Sequence, residues 1–321
     1  MSVLVAIALL LGVLAYAVFG GADFGAGFWD LTAGGAERGR APRAQIDHSL
    51  GPVWEANHTW LIYCLVVFWT AFPPAFATVM RTLYIPLGLA ALGIVLRGSG
   101  FAFRKAVQQI KYQRMAGAAF AASSVVTPFF FGTVAGGIAS GRVPGGPLAS
   151  WVNPTSLFTG VLAVAVCAYL AAVFLTADAP PELVPYFRRR AWITAWVTGL
   201  LSVAGIFVLR ADARHLFDGL LSRALPIVIL SVLAGLAALF LLRRATARLV
   251  RVLAALAVAA IVVAWGVAQY PYLLGTHAPI GTVAAPDSSL VALVVVVVAA
   301  IVLVGPSFAL LYALQQRQLR S

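Results

Sequence analysis

Acidic side chains are scarce in this chain: ten Asp and Glu stand against 22 Lys and Arg in 321 residues, and charged residues of all kinds make up only 10%. Such a composition cannot cover the surface of a water-soluble domain. Cysteine is nearly absent as well. Cys64 and Cys167 are the two present, far apart and without C-x-x-C or C-x-x-C-H spacing. This argues against an iron–sulfur cluster, a covalently attached haem and a structural zinc, and leaves two thiols packed as small hydrophobes. No basic stripe interleaved with aromatics is present, so the formal charge of +12 is not the footprint of a nucleic-acid binder. No internal repeat or low-complexity tail is evident.

What is abundant is apolar. Hydrophobic residues make up 62% of the chain and the mean hydropathy is +0.97, which is the composition of a polytopic membrane protein. Apolar runs of bilayer-spanning length predict an all-α architecture with about nine transmembrane helices, at 2–21, 52–72, 79–96, 115–136, 155–177, 191–209, 224–242, 252–269 and 289–314. The third is the least defined, because Pro73, Pro74 and Arg81 blur its entry. The first run lacks a basic leader and stays apolar past Gly20 to Trp29, so it reads as a helix and not as a signal peptide. The longest connections, about 20 residues each, are too short to bury a core. The whole chain, 1–321, is therefore expected to form a single transmembrane domain.

The basic residues orient this domain. Alternate connections and the C-terminal tail hold Arg38, Arg40, Arg43; Arg97, Arg104, Lys105, Lys111, Arg114; Arg188, Arg189, Arg190; Arg243, Arg244, Arg248, Arg251; and Arg317, Arg320, which is 17 of the 22. Lys and Arg are retained on the cytoplasmic side of short loops. The N-terminus is thus expected outside and the C-terminus inside, with Arg97 and Arg104 serving as topological anchors. Reporter enzymes fused after Arg114 and Arg251 should behave as cytoplasmic, and those after Gly146 and Gly281 as external; the opposite pattern would invert the protein.

Against this apolar background the second run is unusual. It reads GPVWEANHTWLIYCLVVFWTAF, with Glu55, Asn57 and His58 in its first third. A carboxylate at membrane depth costs roughly 3 kcal/mol or more on insertion scales, and it is retained where it faces a cavity, a proton path or a partner. Glu55, His58 and Thr59 share one face at helical spacing, whereas Asn57 points elsewhere, toward another helix. Near the same boundary the first run ends in GGADFGAGFWD, whose glycines allow close helix approach or a local break and whose Asp23 could converge on Glu55. These glycines have neither a preceding strand nor P-loop spacing, so they are not a phosphate cradle. His58 is of the type that ligates haem, but a lone imidazole is more simply an interhelical hydrogen-bonding group. His277 falls in an outer loop, and His48 and His215 near the interfaces. Trp54, Trp60 and Trp69 read as packing or interface aromatics.

The segments ADFGAGFWDL, GPVWEANHTWLI, LRGSGFAFR, NPTSL, YPYLL and APDSSL together resemble subunit II of cytochrome bd-type quinol oxidases, over nearly the whole chain. The resemblance implies nine helices arranged as two four-helix bundles plus one extra helix. It implies a bacterial cell-membrane subunit of a respiratory quinol:O2 oxidoreductase, not catalytic alone. Haem b and haem d would sit in the partner, subunit I, which oxidises quinol and reduces dioxygen to water, while this subunit supports assembly and contributes a proton route from the cytoplasm. Glu55 and Asp23 occupy the family positions implicated in that route. A structural quinone or lipid and small accessory subunits are associations that the resemblance leaves open. The chain departs from the family in having Glu55 where many relatives have Asp, in its tight loops after the sixth and seventh helices, and in His58, where relatives carry other polar residues. From the residues alone the alternative is a proton-coupled secondary transporter, with Asp23 and Glu55 as coupling sites.

Overall fold

The structure, a computed structural model, describes residues 1–35, 37–50, 54–106, 110–244 and 246–318. Regular structure among these residues is helical, apart from one isolated bridge between Tyr272 and Pro279. Helix α1 (Ser2–Ala15) runs through a π-helical turn (Tyr16–Gly20) into α2 (Gly21–Leu31), and α3 (Arg40–Leu50) follows. Then come α4 (Trp54–Ala71), α5 (Pro73–Thr82), α6 (Tyr84–Ala106), α7 (Ile110–Ala139) and α8 (Pro154–Asp178). The second half contains α9 (Val184–Asp212), α10 (Arg214–Leu221), α11 (Leu225–Leu241), α12 (Ala247–Gln269), α13 (Ile280–Val283) and α14 (Asp287–Gln318).

Among the described residues, six helical segments are long and apolar enough to cross a bilayer: Ser2–Leu31, Met115–Ala139, Pro154–Asp178, Val184–Asp212, Ala247–Gln269 and Asp287–Ser307. Two bent pairs bring the number to eight, α4 with α5 at 118° and α10 with α11 at 80°, and Tyr84–Gly100 is a shorter apolar helix. Many large apolar side chains are exposed, among them Leu11, Phe207, Phe240 and Leu303. In water these would be aggregation surfaces; in hydrocarbon they face their own solvent.

The bend after α4 has a local cause. Pro73 and Pro74 lack the N–H groups that would continue the helix, and Phe72 leaves helical geometry at φ −135°, ψ 57°. The freed carbonyl of Ala71 accepts a hydrogen bond from Ala285 N–H at 2.8 Å. The run predicted at 79–96 is therefore divided, its first residues completing α5 and the remainder belonging to α6, which continues to Ala106.

The NPTSL segment is a helix start. Asn153 precedes α8, its side chain accepts from Ser156 N–H at 2.9 Å, and Pro154 occupies the first turn, where no N–H is needed. Asp212, the last residue of α9, accepts from both terminal nitrogens of Arg142 and from the Thr155 hydroxyl at 2.6 Å, tying the α7–α8 loop to the end of α9. The Asp212 carboxylate, hydrogen-bonded to it, raises Arg142 above its ordinary value.

Two large apolar cores organise the chain. One joins α2, α3, α7, α8, α9, α11 and α12 through residues such as Trp29, Phe120, Leu170 and Phe187. The other joins α1, α4, α5 and the segment before α14 through Val5, Val67, Phe72 and Leu274. Trp29 is fixed in the first by donating its indole N–H to the Ala168 carbonyl at 2.8 Å.

Candidate functional site

The glycines of α2 make close approach rather than a break. A β-carbon at Gly25 would run into the Cys167 backbone carbonyl of α8, and one at Gly27 into the Ser124 side chain of α7. With no side chain at either position, α2 lies close against α7 and α8, and α6 packs along α7. Asp23 lies inside the resulting cluster and is 2% exposed.

Its counterion is Arg97 on α6, itself 1% exposed. Arg97 Nη2 donates to Asp23 Oδ1 at 2.7 Å and to the Asp23 backbone carbonyl at 2.9 Å, while Nη1 donates to the Ser124 hydroxyl. The guanidinium carbon sits 4.4 Å from the Phe120 ring centroid and 5.1 Å from that of Phe24, adding cation–π contact on the remaining faces. In a site without bulk water the two charges neutralise one another, and bond geometry decides whether desolvation is recovered.

The expectation that Arg97 anchors a cytoplasmic loop is thereby corrected. It stands within α6 as the counterion of Asp23, and α6 continues nine residues beyond it. Charge bias reads an arginine as a boundary marker, and this one has its charge compensated by a carboxylate 74 residues earlier. The small residues Gly98 and Gly100 beside it were the available signal: a β-carbon at Gly100 would lie 2.7 Å from the Ala116 carbonyl oxygen, so α6 and α7 are in backbone contact where Arg97 turns inward.

The pair is not saturated. Asp23 Oδ2, Arg97 Nε, Tyr16 Oη and Thr127 Oγ1 are buried without a hydrogen-bond partner among the described residues. Unpaired polar atoms in a dry interior cost about 1–3 kcal/mol each, so this group favours ordered water. Tyr16 lies in the π turn, its ring edge-on to Phe24 at 6.3 Å and to Phe131 at 5.9 Å.

The α4 residues meet the same turn. Asn57 is buried and its Nδ2 donates to the Phe19 carbonyl at 3.3 Å, so it does face another helix. Glu55 lies in the first turn of α4, but its side chain is outside the described residues, as is that of Arg104. Asn57, two residues after Glu55 and on another face of α4, thus meets the π turn four residues before Asp23. His58 is half-buried on the same helix.

The remaining candidates are distributed. His48 and His277 are exposed, and His215 packs edge-on to Tyr272 at 5.9 Å. Cys167 is a buried free thiol and Cys64 a half-buried one. Among the described residues no three His, Cys, Asp or Glu side chains gather as a metal-ligand set. A second carboxylate of α2, Asp30, pairs with Arg43 at 3.3 Å near the helix end.

The family model described as cytochrome bd terminal oxidase subunit II matches residues 1–315. Cytochrome bd ubiquinol oxidase subunit 2 of Bacillus subtilis is 24% identical over 230 residues, 70% of this chain and 67% of that protein. Cytochrome bd-I ubiquinol oxidase subunit 2 of Escherichia coli K12 is 27% identical over 215 residues, 63% of this chain and 56% of the relative. The match thus spans only just over half the length of the E. coli protein. In three dimensions the chain superposes on a chain of the bd oxidase from Geobacillus thermodenitrificans with a TM-score of 0.83 at 24% identity, covering 98% of each.

Proposed function

The chain belongs to the cytochrome bd terminal oxidase subunit II family, and from that premise we propose that it is the haem-free subunit of a quinol:O2 oxidoreductase, supporting assembly of a haem-bearing subunit I and carrying part of a proton route from the cytoplasm. The six long spans, the two bent pairs and the shorter Tyr84–Gly100 helix are compatible with nine membrane passes; the N-terminus outside follows from the bias of the basic residues, and the two bundles with an extra helix from the family resemblance. Haem b and haem d, held by the partner, supply the electron transfer and oxygen chemistry; this chain supplies packing surface and protonatable groups. A transporter reading gains nothing from the family match.

The observation that carries the proton-route reading is the buried Asp23–Arg97 pair with unpaired polar atoms around it. Oδ1 is held by the guanidinium, so Oδ2 is the atom that can accept a hydrogen bond from an arriving water or carboxyl group. Tyr16, whose ring packs against Phe24 next to Asp23, and Thr127, three residues after Ser124 on α7, add buried hydroxyls on the elements that hold the pair. Glu55, in the first turn of α4, is the group that takes up and releases the proton.

Glutamine keeps the shape and most of the hydrogen-bonding capacity of Glu55 but cannot carry a proton. Glu55→Gln is expected to leave assembly and haem content intact while slowing quinol-driven oxygen uptake by roughly a hundredfold, the lower end of what a positioned proton-transfer group contributes. Glu55→Asp should retain more activity than Glu55→Gln. Haem per complex and oxygen uptake measured on one preparation decide the matter. Wild-type turnover in a fully loaded Glu55→Gln complex would reduce Glu55 to a packing residue, and loss of haem would make it structural.

A further inference from the structure

The basic residues at the start of α9, just after α11 and in the first turns of α12 do not all serve the same purpose. Arg251 makes an ion pair with Asp178 at 2.6 Å and donates to the Phe174 carbonyl, and the Arg190 guanidinium stacks 3.4 Å from the Tyr186 ring centroid. Arg188, Arg189 and Arg243 form no ion pair with a described carboxylate. Together with Pro185 and Trp192 they line a groove of about 220 Å³. Arg188 Nε is buried there without a hydrogen-bond partner, and the Arg243 guanidinium rests 4.8 Å from a Trp192 ring centroid. Three cations share one cleft, with an indole fixing the side of the third.

Below the arginines the two helices in contact are apolar on their outer faces. On α9 the positions one helical stripe down from Trp192 are Trp196, Leu200 and Phe207, all exposed. On α11 the stripe leading to Arg243 is Ile229, Leu236 and Phe240, likewise exposed. A ligand that satisfies both halves has an anionic head and long apolar tails. Guanidinium groups match phosphate oxygens in bidentate geometry, and indoles are favoured at the depth where head group meets hydrocarbon.

We propose that this groove between α9 and α11 binds the head group of an anionic phospholipid, with its acyl chains along the two stripes. Arg188 and Arg189 grip the phosphate from α9, and Arg243, oriented by Trp192, closes on it from the turn after α11. The site lies on the basic side of the protein, and it holds whether or not the chain carries protons for an oxidase.

The test uses the intact complex in neutral detergent, with brominated phosphatidylglycerol and brominated phosphatidylcholine as probes and the fluorescence difference between the native protein and Trp192→Phe as the Trp192 signal. Brominated phosphatidylglycerol is expected to quench Trp192 at far lower mole fraction than brominated phosphatidylcholine. Each Arg→Gln change should raise the required fraction by roughly fivefold, the equivalent of about 1 kcal/mol per cationic residue at an anionic surface. The Arg188→Lys/Arg189→Lys/Arg243→Lys variant should keep most of the preference. Should the triple glutamine variant fail to assemble, Arg243→Gln alone, an exposed residue, carries the measurement. Equal quenching by the two lipids, an unchanged response in the folded glutamine variants, or a Trp192 that neither lipid reaches because another protein covers it would overturn the proposal. Displacement of phosphatidylglycerol by millimolar inorganic phosphate would overturn it too, in favour of a soluble-anion site.

Discussion

Arg97→Met is expected to strip the membrane of assembled protein, and the double change Asp23→Leu/Arg97→Met to bring it back. Removing only the guanidinium leaves a carboxylate at 2% exposure with no counterion, and breaking a buried pair from one side costs about 3–5 kcal/mol. Replacing both partners by apolar groups of similar volume removes the uncompensated charge, which is often neutral for stability. The second variant therefore separates two roles that the pair combines. If Asp23 matters only for packing, the rescued complex respires normally; if it holds the proton route, the complex is haem-loaded and slow. Chain abundance, haem content and quinol-driven oxygen uptake on the same membranes distinguish these results. Wild-type abundance of Arg97→Met alone would show that the pair contributes little to the fold.

Gly25→Ala is expected to be almost as severe, although it adds a single methyl group. The new β-carbon would run into the Cys167 backbone carbonyl, so no side-chain rotation relieves the clash and α2 must move off α8. Overpacking of side chains costs about 1–3 kcal/mol, and a backbone collision belongs at or above the upper end. Gly88→Ala is the control: nothing lies within 4 Å of a β-carbon there, and alanine is favoured over glycine in a helix by about 1 kcal/mol. Thermal unfolding of the two purified complexes should show a marked loss for the first and none for the second. A Gly25→Ala complex as stable as the native one would mean that α2 and α8 do not approach this closely.

Helix existence was legible because hydropathy is a property of local windows, and the predicted runs fall on helices, except that the run at 79–96 is divided between α5 and α6. Asp23 and Asn57 were legible as residues that must face inward, since lipid offers their side chains no partner. Arg97 was not. Hydropathy treats any arginine as an end of span, and nothing local shows that its charge is met by a residue 74 positions away. The π turn was equally hidden: YAVFG carries no proline and no polar residue to mark a change of helical pitch.

That turn has a consequence for how the site is specified. Gly21 N–H bonds to the Tyr16 carbonyl, five residues back instead of four, so one residue is accommodated beyond an unbroken α-helix. An extra residue turns all that follows by about 100°. Hence α1 leans on α4 while α2, along the same axis, leans on α7 and α8. The first helix is two helices out of phase, and the phase is written as a length and not as a side chain. A chain one residue shorter between 16 and 20 would keep Tyr16, Asp23 and Arg97 in its sequence and yet carry the carboxylate more than a quarter turn away from the guanidinium that neutralises it.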